Sequence, residues 1–447
     1  MSRGRNPQAV LFVSGSAASA TLRYRVRLPE EGLRSRGIRT AALHFTDPRI
    51  RHLAPLADVI VLYRCPAGSE LLALLSDLRR QPSPPLLVYD IDDLVFSPEL
   101  CDGLPFLTTW TPAQRATFER EVALRARCIP HVDLLTGSTE GVLAELSRLS
   151  SAPIALLPNG IGRVGLSDAK AASSEPRPAG GLRIGYFSGS ATHDEDWAQI
   201  EPAVIEALRA DSNTRLWLVG KVRPGRELAA VRGQVRTVRP VSWRALPRLL
   251  REVDVTLAPL ARSPFTDAKS AIKWLEAALV GTPTIATGSP PFRAVIEHGR
   301  TGFIADTPDE WLACLLRLAD APAERLAVGN AANLKALAAF DPDTQVERLL
   351  TAWSGAEVGT GATTPTDDIA PPELWRTAPV LLQSYPWPPG TEEVTLDLPP
   401  EAAAESRRLV RAAKSANLGS RALAVPRKLP YRALSAARRL GGRARIG

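Results

Sequence analysis

Cysteine is scarce and scattered: Cys65, Cys101, Cys128 and Cys314 are spread over 447 residues, with no Cys-x-x-Cys pair among them. That pattern excludes a disulfide framework and a zinc ribbon, and it suits core thiols in a reducing compartment. Long apolar runs are also missing. The opening stretch MSRGRNPQAVLFVSGS is basic, but its apolar segment stops after a few positions, too soon for the core of a signal peptide. No later stretch is long enough to span a bilayer. The expected location is the cytoplasm.

Apolar residues make up 45% of the chain, as in ordinary globular domains. Its length exceeds what one core usually supports, so two domains are expected. The net charge of +8 is unevenly placed. Residues 401–447 hold twelve Lys/Arg against two Asp/Glu, which leaves the rest of the chain at −2. Residues 354–400 are acidic and rich in Gly, Thr and Pro, the composition of a linker. The basicity therefore belongs to a tail, and nothing in the body points to nucleic acid.

Within the body, short β-branched runs (AVLFVSG, IRTAALHF, DVIVLYR, LLVYDID, DLLTGS) alternate with helical stretches such as GSELLALLSDLRR and TEGVLAELSRL. A second set follows: LRIGYFSG, TRLWLVG, QVRTVRP, DVTLAPL, TPTIAT and GFIA, interleaved with further helical segments. Such alternation predicts α/β architecture, with two doubly wound parallel-sheet domains joined near residues 155–162. The phrase Ser-Gly-Ser-Ala occurs twice, after the first strand of each half. In such folds this turn lies where ligands approach the backbone and helix N-termini attract anions. Gly15 in the first turn, and Ser188, Gly189 and Ser190 in the second, are candidate donor contacts. Neither turn has Gly-x-Gly-x-x-Gly, and the acids after the second come too early for an adenine ribose, which disfavours a dinucleotide-dependent oxidoreductase.

The segment SPFTDAKSAIKWLEAALVGTPTIAT predicts a helix capped at Thr266 or Asp267 and ended at Gly281. Lys269, Lys273 and Glu276 fall at i, i+4 and i+7, one polar stripe on an otherwise apolar helix. Either the stripe faces solvent, or it lines a cleft. In the cleft, Lys269 in the first turn would meet a phosphate, and Glu276 would accept hydrogen bonds from a ribose diol.

This half, from IGYFSGS through KSAIKWLEAALVGTPTIAT to VIEHGRTGFIADTPDEWLACLLRLA, resembles the nucleotide-sugar domain of GT-B glycosyltransferases, specifically the large retaining family four. STEGVLAEL…PIALLPNGI resembles the hinge-proximal segment of that family, and VYDIDDLVF and RYRVRLPEEGLRSRG its bacterial cell-surface polysaccharide members. The resemblance covers residues 8–353. It implies two facing Rossmann-like domains and transfer of a sugar from a nucleotide diphosphate to a glycan or lipid-linked acceptor, with retention and without a bound metal or cofactor. Glu276 falls on the second Glu of the family's Glu-x7-Glu element, which contacts the donor ribose. The first Glu would fall on Ala268. The usual Arg and Lys after the first C-terminal strand are replaced by SGSATHDED, so Lys269, Lys273 or an N-terminal residue would substitute.

Other candidates carry two readings each. Asp90, Asp92 and Asp93 could imitate an Asp-x-Asp metal motif, but acids at a strand end commonly cap a turn, and acceptor binding or loop ordering is the favoured role. His193 could bond a sugar hydroxyl in a catalytic role or simply cap a helix. Arg23 and Arg25 could bring charge across the cleft to a diphosphate or lie solvated on a first helical turn. The expected divisions are an N-terminal acceptor-side domain (1–160), a connection (161–182) with the hinge near Asn159, a donor domain (183–335), a closing helix (336–353), the linker (354–400) and the tail (401–447). The tail mixes Arg/Lys with Leu, Val and Tyr431 at helix-compatible spacing, which predicts docking on an anionic membrane at its inner face. A non-catalytic scaffold with the same fold is the remaining alternative.

Overall fold

The computed structural model describes residues 7–16, 19–102, 104, 107–108, 110–189, 193–359, 385–391 and 394–397. These build two six-stranded parallel sheets. The first contains β1 (Ala9–Ser14), β2 (Arg39–His44), β3 (Val59–Tyr63), β4 (Leu86–Ile91), β5 (Leu134–Gly137) and β6 (Ile154–Leu156), ordered β2-β1-β3-β4-β5-β6. The second contains β7 (Arg183–Ser188), β8 (Arg215–Gly220), β9 (Val235–Val238), β10 (Val255–Ala258), β11 (Thr284–Ala286) and β12 (Phe303–Ile304), ordered β9-β8-β7-β10-β11-β12.

The central strands are apolar throughout because both faces are covered. Along β1, Leu11 and Val13 enter one buried cluster while Val10 and Phe12 enter another, the period-two alternation of a strand with helices above and below. Strand order reverses between β1 and β3 in the first sheet, and between β7 and β10 in the second. Ligands of open parallel sheets bind outside the carboxyl ends of the strands at such points. Each Ser-Gly-Ser-Ala phrase leaves the strand beside its sheet's reversal.

The structure corrects several expected boundaries. β6 is absent from the sequence reading, because its three residues, Ile154, Ala155 and Leu156, form a short and partly exposed edge. Residues 161–182 are more than a connection: the helix Arg163–Ser173 packs on the helix Leu246–Glu252, burying Ala169, Ala172 and Leu250 together. The expected closing helix 336–353 is split by Pro342, which cannot continue a helix from its interior but suits a first turn. Residues to 340 end the helix Pro322–Phe340, and the closing helix is Pro342–Ser354. Its Val346, Leu349 and Trp353 join Phe12 and Val61 in the core of the first domain. Part of the supposed linker, residues 385–391 and 394–397, also docks on that domain, with Leu396 buried at 4% exposure. Residues 360–384 of that linker, and the tail 401–447 with its expected amphipathic helix, lie outside the described residues.

Candidate functional site

The helix expected to start at Thr266 or Asp267 is two pieces. Ser263 caps a short turn, Pro264–Asp267, through a reciprocal hydrogen-bonded box with Thr266, and a new helix starts at Ile272. The intervening backbone is held across the interface, where Thr139 Oγ1 donates to the Ala268 carbonyl at 2.7 Å. Lys269 therefore lies in the break and not in the first helical turn. Its ammonium is 3.6 Å from Asp93 and 5.0 Å from the centre of the Phe265 ring. The Ala268 side chain is buried close to Gly141, where an added Cβ would lie 3.0 Å from it.

Lys273 and Glu276 belong to the helix Ile272–Ala278. The Lys273 stem is partly exposed, but its Nζ is sealed from solvent without a hydrogen-bond partner, 5.1 Å from the Tyr186 ring centre. Burial lowers its pKa and Lys269 adds to the fall, while Asp196 and Glu276 oppose it. His193 is the N-cap of the helix Asp194–Ala210. Its Nδ1 meets Asp196 Oδ2 at 2.7 Å, and Asp196 Oδ1 accepts from the Ala261 amide at 2.7 Å. Burial pushes the His193 pKa down against the pull of Asp196, leaving a largely neutral ring at pH 7 whose Nε2 is its other bonding atom. Ser188 is buried at the end of β7, whereas Gly189 is exposed and an added Cβ there would meet nothing within 4 Å. Ser190 lies outside the described residues.

From the first domain, a π-helical turn, Arg23–Arg27, sends successive side chains to different places. Such turns recur at functional sites because they re-aim side chains. Tyr24 donates its hydroxyl to Glu276 Oε1, and Arg23 Nη1 lies 3.5 Å from the same oxygen. Arg25 points inward: it is ion-paired with buried Asp90 and also donates to the Leu157 carbonyl and, at 3.2 Å, to Asn159 Oδ1. The reading of Arg25 as a cation for a diphosphate is corrected, since its guanidinium is committed to the interior. Burial opposes its charge, but Asp90 more than compensates and raises its pKa. Asn159 spans the two domains, because its Nδ2 donates to Ser270 Oγ at 3.0 Å.

The acidic run likewise separates. Asp90 accepts from Arg25 and, at 2.6 Å, from Thr136; Asp92 accepts from Arg64 at 2.6 Å and from Tyr63 at 3.0 Å; Asp93 faces Lys269. The three carboxylates serve three cations, and among the described residues no group of three or more His, Cys, Asp or Glu is arranged to hold a metal. Arg64 is the one non-glycine described with positive φ, 49°. A Cβ at Gly15 would lie 2.0 Å from the Arg64 carbonyl, so the close approach of the neighbouring turn itself requires glycine there.

Sequence reasoning missed Asp196, Tyr24 as a partner of Glu276, Trp243, whose ring centre is 4.3 Å from the Arg23 guanidinium, Arg64 and Thr139. Only Asp196 had a local signal, three residues after His193 on the same helical turn. The others come from distant segments. Beside the polar site, an apolar groove of about 910 Å³ opens between the loops that follow β5, β10 and β11. Leu94, Leu100, Ile272, Leu275 and Val295 line it, together with Ser270 and Asn159.

Two doubly wound domains facing across a cleft, with the candidate groups at the carboxyl ends of their strands, define the GT-B fold. Residues 184–321 match the family model described as Glycosyl transferases group 1. A D-inositol 3-phosphate glycosyltransferase from Pseudarthrobacter chlorophenolicus is 29% identical over 144 residues, which is 30% of this chain and 33% of that protein. The match thus spans about a third of that relative's length. Anabaena HepE in complex with UDP superposes with a TM-score of 0.53 at 15% identity, over 77% of this chain and 99% of that one. Sucrose-phosphate synthase from Thermosynechococcus elongatus gives 0.52 at 15% identity, over 77% and 98%. At these identities the structural likeness is one of fold.

Proposed function

We propose that the protein is a glycosyltransferase that moves a sugar, with retention of configuration, from a nucleoside diphosphate donor to a glycan or lipid-linked acceptor in cell-surface polysaccharide synthesis. One observation carries this reading: the Lys273 ammonium is out of solvent with no hydrogen-bond partner among the described residues, near Lys269, Glu276 and His193. A buried charge of that kind is costly unless something pairs with it, and the diphosphate of a donor is such a partner. Glu276, whose Tyr24 and Arg23 contacts among the described residues fall on Oε1, takes the ribose hydroxyls through Oε2. Lys273 and Lys269 offset the charge that grows on the diphosphate as its bond to the anomeric carbon breaks. The acceptor oxygen bonds to that carbon, the departing phosphate keeps the electron pair and takes the acceptor proton, and His193 Nε2 orients a sugar hydroxyl. The apolar groove suits the hydrocarbon part of a lipid-linked acceptor.

A non-catalytic scaffold is favoured by one feature, the alanine at position 268 in place of a carboxylate. The two readings part in a thermal-shift screen with UDP, GDP, dTDP and their sugars, followed by an assay for release of the nucleotide. A ligand bound only by the folded state raises the melting temperature. Stabilisation with slow release of free nucleotide from one donor supports the enzyme, stabilisation alone supports the scaffold, and no shift with any nucleotide overturns both. Among the described residues no helix is long and apolar enough to cross a membrane; membrane contact is assigned to the basic tail.

A further inference from the structure

After its closing helix the chain comes back to the site. Leu396 donates its amide to the Thr40 carbonyl at 2.9 Å, and Thr395 forms a parallel bridge with Thr40, so the segment lies along the free edge of β2. The Trp387 ring centre is 3.9 Å from the Arg34 guanidinium, and Arg34 also donates to the Thr391 carbonyl at 3.2 Å. Tyr385 then reaches both domains. Its hydroxyl donates to Glu31 Oε2 at 2.6 Å, and its ring stacks on Trp243 of the second domain, centroids 6.0 Å apart at 11°. The same indole has the Arg23 guanidinium 4.3 Å from its ring centre. Arg23 in turn donates to Tyr24 at 3.2 Å and lies 3.5 Å from Glu276 Oε1. Its Nε is buried without a hydrogen-bond partner, and the Trp243 face, the Tyr24 hydroxyl and Glu276 orient it.

We infer that the returning segment positions the nucleotide site: Tyr385, acting through Trp243 and Arg23, holds Oε1 of Glu276 and leaves Oε2 presented to the donor ribose. A carboxylate already fixed in one rotamer loses less freedom when the diol binds, and that saving appears as affinity. Tyr385 touches no substrate and is a positioning residue. The inference rests on the proposed donor site. It implies that truncation after the closing helix weakens donor binding although every site residue remains.

The test titrates the full chain calorimetrically with UDP, or with GDP or dTDP if the screen shows that the parent prefers it, well below the melting temperature. Tyr385→Ala is expected to weaken binding about three- to ten-fold. Tyr385→Phe keeps the stack and retains parent affinity. Because the effect passes through Arg23, Tyr385→Ala adds nothing on an Arg23→Ala background. Tyr385→Leu replaces the alanine variant if that one does not fold. Parent-like affinity in the variant without the ring, or additive losses in the double variant, overturns the inference and leaves the donor site standing. A parent that binds no nucleotide removes the donor site and this inference with it.

Discussion

Lys273→Met should make the protein more stable and worse at its proposed task. Methionine keeps most of the volume of the lysine stem and removes the charge. A buried polar group left without a partner costs roughly 1–3 kcal/mol, and exchanging a buried charge for an apolar side chain of similar size is neutral or stabilising. Nζ of Lys273 is such a group, and the fall in its pKa has burial as the leading cause. In a domain of this size each kcal/mol shifts melting by about 2–4 °C, so the variant should melt a few degrees higher than the parent. The same change removes a charge-assisted hydrogen bond to the donor diphosphate, worth about 1.5–3 kcal/mol, or roughly ten- to 150-fold in affinity. Scanning calorimetry gives the first number and calorimetric titration with the nucleotide selected by the thermal screen gives the second. A variant that melts below the parent shows that Lys273 has a structural partner after all. One that binds the nucleotide as the parent does removes the diphosphate from this site.

Glu276→Gln keeps the shape of the ribose ligand but loses its charge, so nucleotide affinity should fall about ten-fold; Lys269→Ala should lower turnover more than affinity, since its charge matters most as the leaving group departs. Steady-state kinetics and titration separate the two, and parent-like values for both would mean that this stripe is structural. Burial holds the His44 pKa down at about 4 against an ordinary 6.5. The unfolded chain therefore takes up a proton that the folded chain refuses. That stability is complete above pH 6.5 and lost as the pH falls toward 4, up to about 3 kcal/mol. His44→Gln should flatten this acid limb in urea titrations, and an unchanged slope between pH 6.5 and 4 contradicts the assignment. The basic tail should carry the full chain down with anionic but not neutral vesicles. The comparison chain must end at residue 397, because a cut at 353 also removes the segment on β2, and equal sedimentation of the two chains removes the membrane role.

Local sequence pattern determined the fold class. Eleven of the twelve strands are short apolar runs between helical stretches, and a run such as VIVLY or LLVYDI is buried on both faces wherever it falls in a parallel sheet. The exception, β6, has too few residues and too exposed a pattern to signal itself. Composition also isolated the basic tail, but it misread residues 385–397, because Pro and Gly report what a backbone can do and not what it lies against. Glu276 and the lysines were legible as a stripe of spacing 4 and 3.

Only the tertiary structure decided how those groups are used. Arg23 and Arg25 are two residues apart and look alike in sequence; a π-helical turn sends one to Glu276 and the other to Asp90. Two lysines that spacing sets on one stripe part company for the same kind of reason: Lys269 finds Asp93 at 3.6 Å, while Lys273 Nζ lies over the Tyr186 ring without a hydrogen-bond partner. Whether a charge is paired depends on side chains 65 (Arg25–Asp90) to 253 (Arg23–Glu276) positions away, which spacing cannot register. Periodicity is a property of neighbours along the chain and survives in any fold that keeps the helix or strand. Pairing, burial and the resulting pKa shifts are properties of neighbours in space, and they exist only once the chain has folded, within one sheet's domain for Arg25 and Asp90 and between the two for Arg23 and Glu276.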